Sequence, residues 1–593
     1  MGAGKRAKGI GASGGVALGP AHLMRARVAV AERRILRADR ETELARLSAA
    51  LDAADEQLVG IRRFLDRRSP DGEALVDAQR LMLRSPEIEG ETRRMITDEA
   101  LAAEWAVTRA IERIRATFAA LSDPFFRARG ADFEAVGERL VRVLLGLPEN
   151  RPGAGATKGS IAVCFELMPL DPYQLQKAGV VAIVSERGGK TSHAALVARA
   201  LGLPYVVGIK NLAARVLPDV ELIVDGSRGE VIVEPDEDTL ASYRSRMARG
   251  GQRSIALASL RDLPSITQDG VPVHLAANIE SVAGATAARA AGAEAIGLMR
   301  TEFLYLDRAD LPSEEEQHAD ALSVLRAAEG IPVTFRTLDL GADKLPASLQ
   351  IATGANPALG MRSTRFLLER PDVFRTQLRA LYRASSKAPL RLMLPLVSGV
   401  TELEQAAAIC DDVAGSLRRK GDLGSAPVPL GVMIETPSAA MTADHLARRC
   451  SFLSLGTNDL IQYTFAADRD NDDVAQLYQP LHPAVLRLLK AVVNAASDAG
   501  VPLSICGDMA SDPTLTWVLI GLGLRVLSMD PRSIALVKSV ILATRMTEAE
   551  ALTREALALE SEIQVRELVA RRLAEALPAE LAARVTDDPL VTD

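Results

Sequence analysis

Gly188-Gly-Lys-Thr-Ser-His193-Ala-Ala-Leu-Val-Ala-Arg199 is the stretch from which the rest of the chain can be read. Two glycines let the backbone turn tightly, and Thr191 and Ser192 are helix-capping residue types. Ala194 to Leu201 is a run of helix formers that Gly202 and Pro204 close. The expected local structure is a tight turn feeding a short helix, with His193 at the helix N-terminus. The positive end of the helix dipole disfavours imidazolium there, so the ring stays neutral with a free lone pair. The unpaired backbone N–H groups welcome an anion. A neutral nucleophilic imidazole in an anion-binding turn suits the carrying of a phosphoryl group. A histidine in a Gly-rich turn is also commonly a plain solvated residue, and the surrounding chain decides between the two.

Outward from this turn, strands and short helices alternate from Gly159 to Pro235. The strand-like runs are Ser160–Cys164, Val180–Val184, Tyr205–Gly208, Glu221–Val224 and Glu230–Val233. They describe a compact α/β domain, completed by the Gly-rich segment Gly9–Met24. Between these two pieces the pattern changes. Leu44, Leu47, Leu51 and Leu58, then Ile111, Ile114 and Phe118, recur at helical spacing with charged residues on the other faces. A helical subdomain inserted at residues 37–147 is expected, with the α/β domain formed from residues 1–36 and 148–235. Residues 236–263 carry many charges and little apolar alternation, which predicts a linker helix.

Beyond it, in residues 264–593, strand-like runs recur with helical stretches between them. They are Val271–Asn278, Ala295–Arg300, Val333–Arg336, Arg391–Leu394, Leu430–Glu435, Phe452–Gly456, Leu503–Cys506 and Val526–Ser528. Eight such units predict a (β/α)8 TIM barrel. Arg300, Arg336, Glu435, Asn458, Asp459 and Cys506 fall at or just past the C-terminal ends of these strands. In this fold those ends form one face, where active sites are built. Singly, each has a plainer reading, such as a surface ion pair or a buried small hydrophobe. Their shared placement favours one pocket. Guanidinium forks match phosphate geometry, which suits Arg300 and Arg336, with Arg469 close in sequence to the Asn-Asp pair. Glu435 and Asp459 are a carboxylate pair suited to Mg2+ that keeps water and substrate oxygens as its other ligands. They are read as lying on neighbouring strands.

The chain has 593 residues, a net charge of −7 and a pI near 5.7. That length implies several domains. The acidic balance argues against nucleic acid or an anionic membrane as the main partner. Cys164, Cys410, Cys450 and Cys506 are widely spaced, which fits a reducing compartment and no metal finger. The basic residues Lys5, Arg6 and Lys8 are followed by no apolar core of signal-peptide length, and no run approaches a membrane span. A cytoplasmic protein without membrane insertion is expected.

The string Gly188–Arg199, continued by Ala200-Leu-Gly-Leu-Pro-Tyr-Val-Val-Gly208, resembles the phosphohistidine signature of the phosphoenolpyruvate-utilising enzymes. Further strings resemble the Enzyme I branch of that family. They are Gly297–Leu304, Phe335–Lys344, Asn356–Arg362, Gly431–Pro437, Ser454–Thr464 with Asp468-Arg469, and Ser504–Ala510. The segment Arg127–Leu140 is similar as well. Dikinases and synthases of the family carry a large ATP-binding region before their histidine. His193 comes too early for one, and no Walker-type loop is present.

The resemblance implies that phosphoenolpyruvate donates its phosphoryl group to His193, with Mg2+ as cofactor. Substrate would be held by Arg300, Arg336, Asn458, Asp459 and Arg469, and metal by Glu435 and Asp459. Cys506 would protonate the enolate, a credible task for a thiol whose ordinary pKa lies near neutrality. The phosphocarrier protein HPr would bind the helical insertion, and the barrel would form a homodimer. Three departures from the family pattern stand out. Glu166–Tyr173 contains no Ser or Thr hydroxyl to orient the imidazole. Asp508 replaces a usual Glu, and Asp470 replaces a usual Gly. Two alternatives stay open at this level. One is a nitrogen-type regulatory paralogue, although no sensory domain fits before Gly9. The other is a silent phosphoenolpyruvate sensor, against which the complete set His193, Cys506, Glu435 and Asp459 argues.

Overall fold

The alternation around His193 builds an eight-stranded mixed sheet. In chain order the strands are β1 (Lys5–Lys8), β2 (Ile10–Ser13), β3 (Val16–Leu23), β4 (Ile161–Cys164), β5 (Ala182–Ser185), β6 (Tyr205–Val207), β7 (Glu221–Asp225) and β8 (Glu230–Val233). Their order across the sheet is β1-β8-β7-β3-β4-β5-β6-β2. The computed structural model describes residues 5–585, apart from 25–29, 65–69, 120–123, 148–151, 191, 211, 213–214, 306–309, 342–355, 424–426, 470, 472–473, 579–580 and 583–584.

The N-terminal segment differs from its sequence reading. Lys5–Lys8, which the sequence reading did not mark as a strand, forms β1, antiparallel to β8. After Gly9, whose N–H donates to Gly229 O, β2 pairs antiparallel with β6 at the far edge of the sheet. One nine-residue run therefore pairs at both edges, so the sheet curls towards closure. Each face has its own apolar core. Ile161, Val163, Val184, Val206 and Leu222 lie in one, and Ala162, Ile183, Ala195, Ala198 and Val207 in the other.

The charged, Leu-periodic region forms α1 (Arg40–Phe64), α2 (Pro70–Leu83), α3 (Glu91–Glu99), α4 (Ala103–Ala119) and α5 (Pro124–Leu144). Leu47, Leu51 and Leu58 of α1 are buried together with Val107 and Ile114 of α4, so the helical periodicity marks a real core. The same cluster takes in Leu170, just before α6 (Asp171–Lys177). The turn at Gly188 then feeds α7 (His193–Ala200), and α8 (Glu237–Ala258) follows β8. The chain divides into two compact units, Met1–Gln252 and Arg253–Asp593, with the boundary inside α8.

The second unit is a closed parallel barrel of β9 (His274–Ile279), β10 (Ala295–Met299), β11 (Val333–Arg336), β12 (Leu390–Leu394), β13 (Leu430–Ile434), β14 (Phe452–Gly456), β15 (Leu503–Cys506) and β16 (Val526–Met529). β16 closes on β9. Leu392, Leu394, Val432, Leu453, Leu455 and Ile505 face the surrounding helices in a single large core. The alternate residues point inward, and that period of two positions the site.

Candidate active site

On four of the strands the inward series carries a polar or ionisable residue towards its C-terminal end. On β11 Arg336 follows Thr334; beyond β13 Glu435 follows Gly431 and Met433; on β14 Ser454 follows Phe452; on β15 Cys506 follows Ser504. Leu298, Met393, Met433, Phe452 and Cys506 pack as an apolar plug inside the barrel, and the polar ends stand above it.

Arg336 is buried and held by two carboxylates, Glu302 Oε1 at 3.1 Å and Asp339 Oδ2 at 2.8 Å. Its Nε is buried and makes no hydrogen bond among the described residues, a donor left over for a ligand. Arg362, from the enlarged loop after β11, reaches the same Asp339 at 2.9 Å and lies 4.0 Å from Asp459 Oδ1. Burial opposes ionisation of Asp339, but Arg336 and Arg362 outweigh it and hold the carboxyl well below the usual range. Burial pushes Glu302 up, against the pull of Arg336. Two guanidinium groups are thus held at one mouth, that of Arg336 with its Nε unused and that of Arg362 bonded also to Ser363 Oγ and Tyr463 OH. Arg300 is half-exposed at the same mouth and pairs with Glu280.

Glu435 is buried, and its Oε1 accepts from Leu396 N at 2.5 Å. Leu396 adopts φ +51°, a costly conformation for a branched side chain, in delivering that N–H. Burial, then Asp459 and Asp339, push the Glu435 carboxyl well up, with Arg336 opposing. Asp459 is not on the neighbouring strand, as the sequence reading had it. It lies in the first turn of helix Thr457–Phe465, which leaves β14 directly. Two carboxylates at one pocket, with Glu435 Oε2 unclaimed by the backbone, form a hard oxygen donor pair suited to Mg2+. Among the described residues no group of three or more His, Cys, Asp or Glu side chains is placed to hold a metal. The remaining ligands would therefore come from water or substrate oxygens.

Cys506 Sγ donates to Leu455 O at 3.4 Å and accepts from Ser454 Oγ at 3.4 Å. Burial pushes the thiol up to about 11, and the Ser454 hydrogen bond pulls the other way. The thiol therefore lies above the ordinary value used in the sequence reading, and Cys506 keeps its proton throughout the neutral range. Asn458 is locked in a two-way exchange, its Nδ2 donating to Asp508 Oδ2 at 3.1 Å and its Oδ1 accepting from Asp508 N at 3.0 Å. The exchange needs Gly507 at φ +119°, where a Cβ would meet Asn458 Oδ1 at 2.7 Å. The short Asp508 accepts this bond where the family pattern has Glu. Arg469 is exposed on the rim and is not drawn into the buried cluster, although its charge reaches Tyr478, whose hydroxyl donates to Asn458 Oδ1 at 3.5 Å.

In the first unit, His193 is the first residue of α7, and Ser192 caps that helix by accepting from Ala195 N at 3.3 Å. Arg199 ties the helix to the sheet through Ala12 O at 2.8 Å. The hydroxyls missing from Glu166–Tyr173 occur elsewhere near this turn. Ser185, at the end of β5, bonds Tyr205 OH at 2.8 Å, and both approach Gly188. Sequence reasoning left Ser454, Glu302, Asp339 and Arg362 without roles. The period of two on β14 points to Ser454. Arg362 had no such signal, because a loop and not a strand delivers it. Asp343, Lys344 and Asp470 lie outside the described residues.

Comparison with known proteins covers most of the chain. Three families match: PEP-utilising enzyme, N-terminal, at residues 8–129; PEP-utilising enzyme, mobile domain, at residues 156–229; and PEP-utilising enzyme, PEP-binding domain, at residues 255–546. A phosphoenolpyruvate-protein phosphotransferase of Cupriavidus necator is 38% identical over 93% of this chain and 96% of its own length. That of Geobacillus stearothermophilus is 39% identical over 96% of this chain and 98% of its own. That of Bacillus sp. (strain S) is 38% identical over the same shares. With its turn-borne histidine and its arginine- and carboxylate-rimmed barrel, the chain belongs to the PEP-utilising enzyme family, in the phosphoenolpyruvate-protein phosphotransferase (Enzyme I) branch.

Proposed function

We propose that the enzyme takes the phosphoryl group of phosphoenolpyruvate onto His193 and passes it to a histidine of HPr, releasing pyruvate, as the first step of sugar uptake by the phosphotransferase system. The observation that carries this reading is the barrel mouth, where Arg336 keeps a buried, unpaired Nε beside the Glu435–Asp459 carboxylates. Arg300, Arg336 and Arg362 bind the phosphate, with Arg469 at the rim, while Asn458 and Asp459 orient the other oxygens. Glu435 and Asp459 hold Mg2+, which when bound neutralises charge on the substrate oxygens.

Transfer breaks the bond between phosphorus and the enol oxygen as Nε2 of His193 forms its bond to phosphorus. The enolate left behind takes a proton at its methylene carbon from Cys506, and pyruvate departs. A thiol held near 11 donates only when a strong base such as the enolate arrives, which guards against premature loss of the proton. Ser454 then stabilises the thiolate through the hydrogen bond it already donates. The helical region α1–α5 receives HPr, and the barrel unit forms the homodimer. Among the described residues no helix is long and apolar enough to cross a membrane, in keeping with a cytoplasmic assignment.

Incubation with labelled phosphoenolpyruvate and Mg2+ tests the reading. Acid-labile label is expected on the protein, absent in His193→Ala and absent when the cation is chelated. Label retained by His193→Ala would sink the assignment.

A further inference from the structure

At the opposite end of the barrel from the polar mouth, a cavity of about 250 Å³ opens among the N-terminal ends of β12 to β15. Its lining is Arg391, the Pro427-Val428-Pro429 run before β13, Ser451 and Phe452 at the start of β14, and Pro502 before β15. Proline has no N–H to donate, so three of these walls offer apolar rings without competing donors. Arg391 shares the inward face of β12 with Met393, and its guanidinium stands 5.8 Å above the Phe452 ring. It is exposed and has no carboxylate partner among the described residues.

Phe452 is also a member of the plug that contains Cys506. It fits there because Gly431, its neighbour on β13, has no side chain: a Cβ would lie 2.4 Å from the ring. One face of the plug therefore meets the cavity and the other meets the thiol. Close-packed interiors transmit small displacements of a ring rather than absorbing them.

We propose that this cavity is an effector site for a small, flat, apolar carboxylate. The ligand's ring lies among Pro427, Pro429, Pro502 and Phe452, its carboxylate pairs with Arg391, and its presence is felt at Cys506 through the Phe452 plug. The shape supplies affinity for a ring, and the lone guanidinium supplies preference for an anion.

Benzoate is the probe, with benzamide as its uncharged counterpart, on the full-length protein. Calorimetric or NMR titration is expected to show saturable binding of one benzoate per chain. Binding should weaken roughly tenfold or more in Arg391→Gln and for benzamide, and persist in saturating phosphoenolpyruvate. Saturating benzoate should change the turnover rate of pyruvate formation in the wild type and not in Arg391→Gln, whose activity without benzoate is unaltered. Absence of saturable binding, equal binding by Arg391→Gln, or displacement by phosphoenolpyruvate would overturn the site. Binding without any change in turnover would overturn the link to Cys506. Either failure leaves the assignment of His193 untouched, since that rests on the label experiment.

Discussion

A single missing methyl group keeps the Glu435 carboxylate in place. Gly456 ends β14 directly beside Glu435, and a Cβ there would stand 2.7 Å from Glu435 Oε2 and 2.9 Å from Met433 Cγ. Both neighbours are buried and cannot move aside without disturbing the plug. Gly456→Ala is therefore expected to lower phosphoenolpyruvate-dependent labelling of the protein roughly tenfold or more, about 1.4 kcal/mol of barrier or above. Circular dichroism of the variant should remain that of a folded barrel. Labelling at the wild-type rate would mean that Glu435 is not the group this glycine protects. At this same scale the sequence was partly legible. Glu435, Arg336 and Cys506 each close an inward series on a strand, and counting in twos finds them. Gly456 is invisible to such counting, because its importance lies in what a neighbouring strand places against it.

Among the elements, α6 shows how one buried carboxyl can make a segment sensitive to pH. Asp171 opens this helix, and its Oδ2 accepts from Met168 N at 2.9 Å. Burial pushes its carboxyl up to about 7, against that hydrogen bond and the charge of Arg139. Asp171, Glu138, Arg139 and Arg142 line one small cavity. An unfolded chain holds Asp near its ordinary value of about 3.9. The folded state thus binds the proton more tightly, and the stabilisation is fully present below pH ~4 and lost as pH rises through 7. Asp171→Asn keeps an acceptor for Met168 N without the ionisation. Thermal unfolding followed from pH 4 to 8 should show a shallower loss of stability for this variant than for wild type. The difference in slope approaches ~1.4 kcal/mol per pH unit, and coincident profiles would remove Asp171 from the account. Ser and Thr hydroxyls were sought in this segment from the sequence, and the segment instead carries a buried acid whose pairing only the packed helices reveal.

For the whole molecule, the histidine and the pocket that serves it belong to different compact units, with α8 carrying the chain from one to the other. The proposed reaction requires His193 to visit the barrel mouth and then HPr, and it therefore predicts that the two units reorient. Lys538 anchors the chain that follows α8. Its buried Nζ donates to the carbonyls of Leu260 at 3.2 Å, Arg261 at 2.8 Å and Leu263 at 2.9 Å. The chain just after α8 is thereby fixed to the barrel, so the predicted reorientation would have to use α8 or the residues before it. Small-angle scattering curves should change on adding phosphoenolpyruvate with Mg2+, and again after phosphorylation. Curves that superimpose in all three states would argue against reorientation.

Local chemistry made much of this protein readable from its sequence. A turn of two glycines and a capping Ser announces α7, apolar residues at helical spacing mark α1 and α4, and eight apolar runs mark the barrel strands. These signals depend on near neighbours in the chain, so no tertiary structure is needed to see them. The tertiary structure alone decided that Lys5–Lys8 is a strand, because its pairing partner β8 lies more than two hundred residues away. It alone delivered Arg362 to Asp339 from a loop, set Asp459 on a helix rather than a strand, and raised the Cys506 thiol to about 11. These outcomes depend on what packing brings together from distant parts of the chain and shuts away from water, and neither proximity nor desolvation is written in the order of residues along the chain.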